Sequence, residues 1–214
     1  MNEDLLDPIE VRMLAVLAEK EQLTPDNYPL SLNALVNGCN QLTSRDPVMA
    51  LSEDDVQVAL ERLMARKLVA EVSQAGARVP KYEHRMRLRW TLEQDKLAGL
   101  TLLMLRGPQT AAELRSRAGR IHEFDTVAAA ETALQFLIDK YPPLVARLAR
   151  APGAKEVRYA HLISGEPADI DFAVAVVPAP RQDRVAQLEQ EVAELKEALA
   201  RLSQEFAEIR RLLE

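Results

Sequence analysis

The chain has 214 residues, 48% of them apolar, and 27 Lys and Arg against 33 Asp and Glu for a formal charge of −6. This balance excludes a disordered chain, a collagen and a membrane span, while one cysteine and three scattered histidines exclude a disulfide framework and a multi-cysteine zinc site. Aromatic residues make up 4%, low for an all-β sandwich, and the Ala, Leu, Glu and Arg content favours helices. The acidic start from Met1 to Asp4 leads into no apolar signal region, so a reducing cytoplasm without membrane attachment is the expected setting.

Asp7-Pro8-Ile9-Glu10 reads as a helix start: Asp accepts from an orphan N–H, Pro suits the first turn and Glu reaches back. Ile9, Met13, Val16 and Leu17 follow at helical spacing, and the loop from Thr24 to Pro29 ends the helix. Ser31 is placed to cap a second helix carrying Leu32, Leu35, Val36 and Cys39 inward. A polar loop then leads to Ser52-Glu53-Asp54-Asp55, the opening of a third helix with Val56, Ala59, Leu60 and Leu63 on one face. From Leu68 the period changes to that of a two-stranded hairpin bent around Gly76.

Helix, helix, helix, hairpin is the order of a winged helix, and it recurs. Leu97, Leu100, Thr101 and Met104 mark a helix that stops near Gly107-Pro108, Thr110 to Glu113 is a second capping box, Asp125 opens a third helix, and two short strands run from Leu144 and from Val157. The hairpins share residues as well as period, Val69 with Lys81-Tyr82-Glu83-His84 matching Val145 with Arg158-Tyr159-Ala160-His161. The expected fold is therefore mainly α with small β-hairpins: winged-helix domains at residues 5–88 and 92–163, a linker or arm at 164–184, and a C-terminal coiled-coil helix at 185–214.

That last helix carries a heptad seam, with Val185, Leu188, Val192, Leu195, Leu199, Leu202, Phe206, Ile209 and Leu213 spaced alternately by three and four. A parallel in-register pair brings Arg184 to Glu189, Glu191 to Lys196 and Glu205 to Arg210, all of opposite sign, so a homodimer is expected. The plain alternative is a helix folded back on its own body.

No nucleophile–base pair or glycine-rich phosphate loop stands out, Cys39 reads as a core residue, and neither a metal nor a cofactor is expected, so the chain reads as non-enzymatic. Net charge by segment is −3 over residues 1–90, +2 over 91–163 and −5 over 164–214, which leaves room for local basic faces. Eight Lys and Arg between Arg62 and Arg89 face only Glu71 and Glu83, and Arg106, Arg115, Arg117 and Arg120 form a second group. The third helices oppose this, because their first turns carry Glu53, Asp54 and Asp55 and then Glu123 and Asp125, where a reading helix approaches phosphate. The loop from Cys39 to Val48 packs amides, hydroxyls and an Arg-Asp pair; Asn33, Asn37, Asn40, Gln41 and Thr43 either bond its own backbone, with Arg45 on Asp46, or face a partner.

Tyr28-Pro29-Leu30-Ser31, Cys39-Asn40-Gln41, Arg45-Asp46-Pro47-Val48, Leu105-Arg106-Gly107, Gln109-Thr110 and Glu113 to Ala118 together resemble the YceH family of bacterial proteins over nearly the whole chain. The resemblance implies tandem winged-helix domains in a cytoplasmic protein and carries no assigned activity, so no functional residue transfers. The chain departs at Leu42 and His122, where the family pattern often has Lys and Tyr, which weakens a phosphate-binding role for the loop. The leading expectation is DNA contact through Arg45, Arg78, Lys81, Arg85, Arg87, Arg115, Arg117 and Arg120; the alternative is a protein-interaction scaffold without nucleic acid.

Overall fold

A computed structural model describes residues 5–72, 79–149 and 156–166. Arg78, most of the predicted linker and the whole heptad seam from Val185 to Leu213 lie outside them. The described chain is mainly helical with two small antiparallel sheets.

The first helix, α1 (Pro8–Leu23), starts on the predicted capping box: the Asp7 carboxylate accepts from the N–H groups of Ile9 and Glu10, and the Asp7 N–H donates to Glu10 at 2.8 Å. Ser31 caps α2 (Leu32–Cys39), and Ser52 with Asp55 forms a second capping box on α3 (Glu53–Ala65). Strands β1 (Leu30–Ser31), β2 (Val69–Val72) and β3 (Lys81–His84) pair antiparallel in the order β1-β3-β2. A short helix absent from the sequence prediction, α4 (Met86–Trp90), follows directly and ends on Thr91 in the left-handed region at φ +47°.

A similar succession follows, with α5 (Gln94–Arg106), α6 (Ala111–Ala118), α7 (Val127–Ile138) and the hairpin of β4 (Val145–Arg147) with β5 (Tyr159–His161). Gly107, at φ +69° and ψ −160°, ends α5 in a conformation that a side chain would strain. Thr110 and Glu113 form the predicted capping box of α6. For α7 the cap is Thr126, one residue beyond the Asp125 that the sequence suggested, because the Thr126 hydroxyl is the group that accepts the Ala129 N–H.

The two hairpins match in register. Val69 faces His84 across β2–β3, and Val145 faces His161 across β4–β5. In each case the residue before the cap of the second helix bridges the equivalent tyrosine, Leu30 to Tyr82 and Gln109 to Tyr159. Both tyrosines are buried.

The core centres on α1 and α5, which pack against each other. The sequence predicts one apolar face for α1, yet every residue from Glu10 to Glu19 is buried, because α2, α3 and α5 all contact this helix. The same holds for α5, buried continuously from Leu97 to Leu105. A shared core of this kind compensates for the modest size of each helical set.

Two buried or half-buried side chains make the fold acid-sensitive. Burial lowers the His161 pKa from its ordinary 6.5 to about 4, so the folded state disfavours the imidazolium. Glu21 is held at about 2 rather than 4.5, chiefly by the His84 imidazole 3.3 Å away, assisted by Gln22 and Arg87. Both folded-state values lie below the unfolded ones, so the unfolded chain takes up protons first. Stability is complete above pH 6.5, falls as His161 is titrated towards pH 4, and falls further as Glu21 is titrated from 4.5 towards 2. Urea unfolding at stepped pH should show the His161 part as a loss of at most about 3 kcal/mol, and His161→Phe should flatten that segment.

Candidate functional site

The residues of the polar motif loop converge on two buried arginines. Arg45, whose side chain is 0% exposed, is clasped by Glu19 of α1 through Nη1 at 3.1 Å and Nη2 at 2.6 Å. Its remaining N–H groups reach the Gly38 and Ser44 carbonyls and the Gln41 side-chain oxygen. Arg12, also of α1, donates to the Cys39 carbonyl at 3.1 Å and the Pro47 carbonyl at 2.6 Å, one on each side of the loop. Burial and the neighbouring Arg45 guanidinium lower the Arg12 pKa from its usual value. A planar guanidinium has five donors in a fixed fork, the geometry that such an array of carbonyls requires.

The other loop residues hold the same turn. The Asn40 side-chain amide donates to the Leu51 carbonyl and accepts the Leu51 N–H, both at 2.8 Å, closing the loop at its base. The Asp46 N–H donates to Leu105 at 2.8 Å, and Arg106 donates to the Ser44 hydroxyl, which fastens the loop to the end of α5. Gly38 leaves space that a side chain would take, since a Cβ there would lie 2.6 Å from Val16. Thr43 and the Asp46 side chain are exposed, as are Asn33 and Asn37, which bond each other at 3.1 Å. The Arg-Asp pairing considered from the sequence is therefore replaced by Arg45 with Glu19, because the side chain turns inward to α1. Arg45, taken from the sequence as a nucleic-acid contact, is enclosed and has no face left for a phosphate.

Several other predicted cations are already engaged. Arg87 pairs with Glu21 at 3.1 Å and bonds Gln94. Arg115 donates to the Phe124 and Asp125 carbonyls at 3.0 Å, pinning the turn before α7. Arg117 donates to Gln109, a fully buried amide that also donates to the Leu102 carbonyl. His84, matched to His161 by the sequence repeat, accepts the Met86 N–H on Nδ1 and turns Nε2 to within 3.3 Å of Glu21. Cys39 is a core residue as expected, its thiol pushed up to about 12 by burial.

Cations without a carboxylate partner among the described residues include Lys67, Lys81, Arg89 and Arg120. Lys67 and Arg89 join Arg85 around a shallow hollow of about 480 Å3 between the end of α3, β2 and α4, where Leu88 stands 72% exposed. Arg85 is paired with Glu83 at 3.1 Å. At the opposite end of α3, Glu53, Asp54 and Asp55 are all exposed, and the Ser52 hydrogen bonds hold the Asp55 pKa below its ordinary value. The α4 cations were visible in the sequence, but the helix that groups Arg85 and Arg89 beside Lys67 had no periodic signal of its own.

Residues 6–154 match the model of a family described as "Protein of unknown function, DUF480", and the chain belongs to that family. No helix among the described residues is long and apolar enough to cross a membrane. Among its relatives is the UPF0502 protein of Janthinobacterium sp. (strain Marseille), 62% identical over 213 residues, spanning 98% of this chain and 92% of that protein. The UPF0502 proteins of Herminiimonas arsenicoxydans and Geobacter sulfurreducens are 59% and 46% identical, over 98% and 90% of this chain and 91% of each relative. The resemblance carried by the motif residues thus holds at the level of an uncharacterised bacterial family.

Breaking the buried pair by removing one member is expected to be strongly destabilising. Arg45→Ala should cost about 3–5 kcal/mol in urea unfolding, because Glu19 is left charged and enclosed. The double variant Arg45→Met with Glu19→Met should cost less than Arg45→Ala alone. A loss below about 1 kcal/mol for Arg45→Ala, the range of exposed ion pairs, would show that the pair is not a buried clamp.

Proposed function

We propose that the chain is a non-enzymatic tandem winged-helix protein that contacts nucleic acid in a regulatory setting, as a homodimer held by its C-terminal heptads. The recurring helix-helix-helix-hairpin order and the equivalent strand registers support the tandem winged-helix reading. Lys67, Arg85 and Arg89 gathered around one hollow, at the end of α3 away from its acidic first turn, are the observation that carries the nucleic-acid part.

In this reading the third helices do not enter a groove. The first turn of α3 repels phosphate, and α7 has Glu131 as its sole charge. Contact falls instead to the root of the first hairpin and to α4, with Lys81 on β3 adding one more cation. Contacts of this kind position a protein on a duplex without reading its sequence.

A protein-binding scaffold is the second reading, favoured by the outward side of α7. Val127, Ala128, Thr132, Gln135 and Phe136 are exposed there, a nearly uncharged surface suited to another polypeptide.

Binding of the full chain to a random duplex between about 50 and about 200 mM salt separates the two. The nucleic-acid reading expects affinity to fall steeply with salt, and a Lys67→Gln, Arg85→Gln, Arg89→Gln triple variant to reduce the log–log slope by about three. Absence of binding at about 50 mM salt would leave the scaffold reading. For the dimer, a chain ending at Pro180 should sediment as a lower oligomer than the intact chain; an unchanged number of protomers would place the interface elsewhere.

A further inference from the structure

We propose that a second, larger hollow is a binding site for an amphipathic organic anion, an acyl or aryl carboxylate. It has a volume of about 580 Å3, within the range of roughly 300–1,000 Å3 typical of small-molecule sites. It lies where the start of the chain, the ends of α3 and α4, the turn after α7 and the residues after β5 come together.

The walls and the charges select the ligand class. Leu68, Trp90, Pro143, Leu144 and Ile163 supply an apolar lining that suits an alkyl chain or an aromatic ring. Every charged side chain of the lining is a cation: Arg66, Arg89 and Lys140. Arg66 is partly committed, donating to the Leu5 carbonyl at 2.8 Å and lying 3.9 Å from Glu10. Arg89 and Lys140 have no carboxylate partner among the described residues; Lys140 rests over the Phe136 ring at 5.0 Å. An apolar cation is repelled by this rim, and an uncharged amphiphile forgoes its charge-assisted hydrogen bonds. A carboxylate head between Arg89 and Lys140, with its tail against Trp90 and Leu144, satisfies both.

Thr91, on the wall, sits at φ +47° and ψ +61°, where its N–H bonds the Arg87 carbonyl and stops α4 beside the hollow. Tyr141 stands 100% exposed at the rim, available to fold over an occupant.

Trp90 is the single tryptophan of the chain, so its emission reports the site directly. Titration of the full chain with decanoate should give a saturable change in Trp90 emission, whereas decanol and decyltrimethylammonium should bind at least about tenfold more weakly. Arg89→Gln and Lys140→Gln should each weaken decanoate about tenfold, and Arg147→Gln, at an exposed position of β4 outside the lining, should leave it unchanged. Isothermal titration provides the same comparison without the fluorophore. The proposal fails if decanoate gives no saturable response below about 1 mM, if decanol matches it, or if neither substitution changes its affinity.

Discussion

Enclosing a guanidinium and a carboxylate between helices removes their water, and the folded chain must then supply every partner that water would have supplied. Arg45 and Glu19 meet that demand only because α1, the end of α2 and the motif loop are all in place, with the Gly38 and Ser44 carbonyls and Gln41 taking the remaining donors. Arg12 adds a second buried cation whose two carbonyl partners flank the loop. The loop is a rigid strut as a result. Through Asp46 and Ser44 it also reaches the end of α5, so one electrostatic cluster joins the first helical set to the second. Breaking such a pair is costly even where its formation adds little net stability.

The clamp also changes how the charge of the molecule is to be understood. A formal −6 is mostly the −5 of residues 164–214, and the remaining 163 residues are close to neutral. Within those, some arginines are consumed by the fold, among them Arg12, Arg45, Arg87 and Arg115, while Arg89 is left at the hollows beside the ends of α3 and α4. Arg89 lines both hollows, so an organic anion held in the larger one would lie beside the cations of the smaller. Local placement, and not the total, decides which ligands such a surface attracts.

Much of the architecture was legible because local chemistry decided it. Asp7, Ser52 and Thr110 cap their helices through residues three positions away, a relation the sequence states outright. The shared Val, Tyr and His of the hairpins reappear as matched registers. The short strand at Leu30 and the five-residue helix at Met86 escaped, since neither is long enough to show a period. A usable signal for the clamp did exist: Arg12 and Glu19 lie seven residues apart on one helical face, with only apolar residues from Met13 to Ala18 between them. Charges embedded in an apolar run are costly to bury, and so ask for partners.

By itself the sequence determined helix starts and the change of period at each hairpin, because these depend on neighbours within a few residues. It also determined the family, through the motif loop. Only the tertiary structure decided that Arg45 turns inward from this loop, because its acceptor lies 26 residues away on a helix whose surroundings the sequence does not display. The same is true of the cationic hollows. The walls of the larger one come from segments as far apart as Leu5 and Ile163, and those of the smaller from the end of α3, β2 and α4. Spacing along the chain governs local hydrogen bonds; desolvation and packing across it govern which charges remain free to bind.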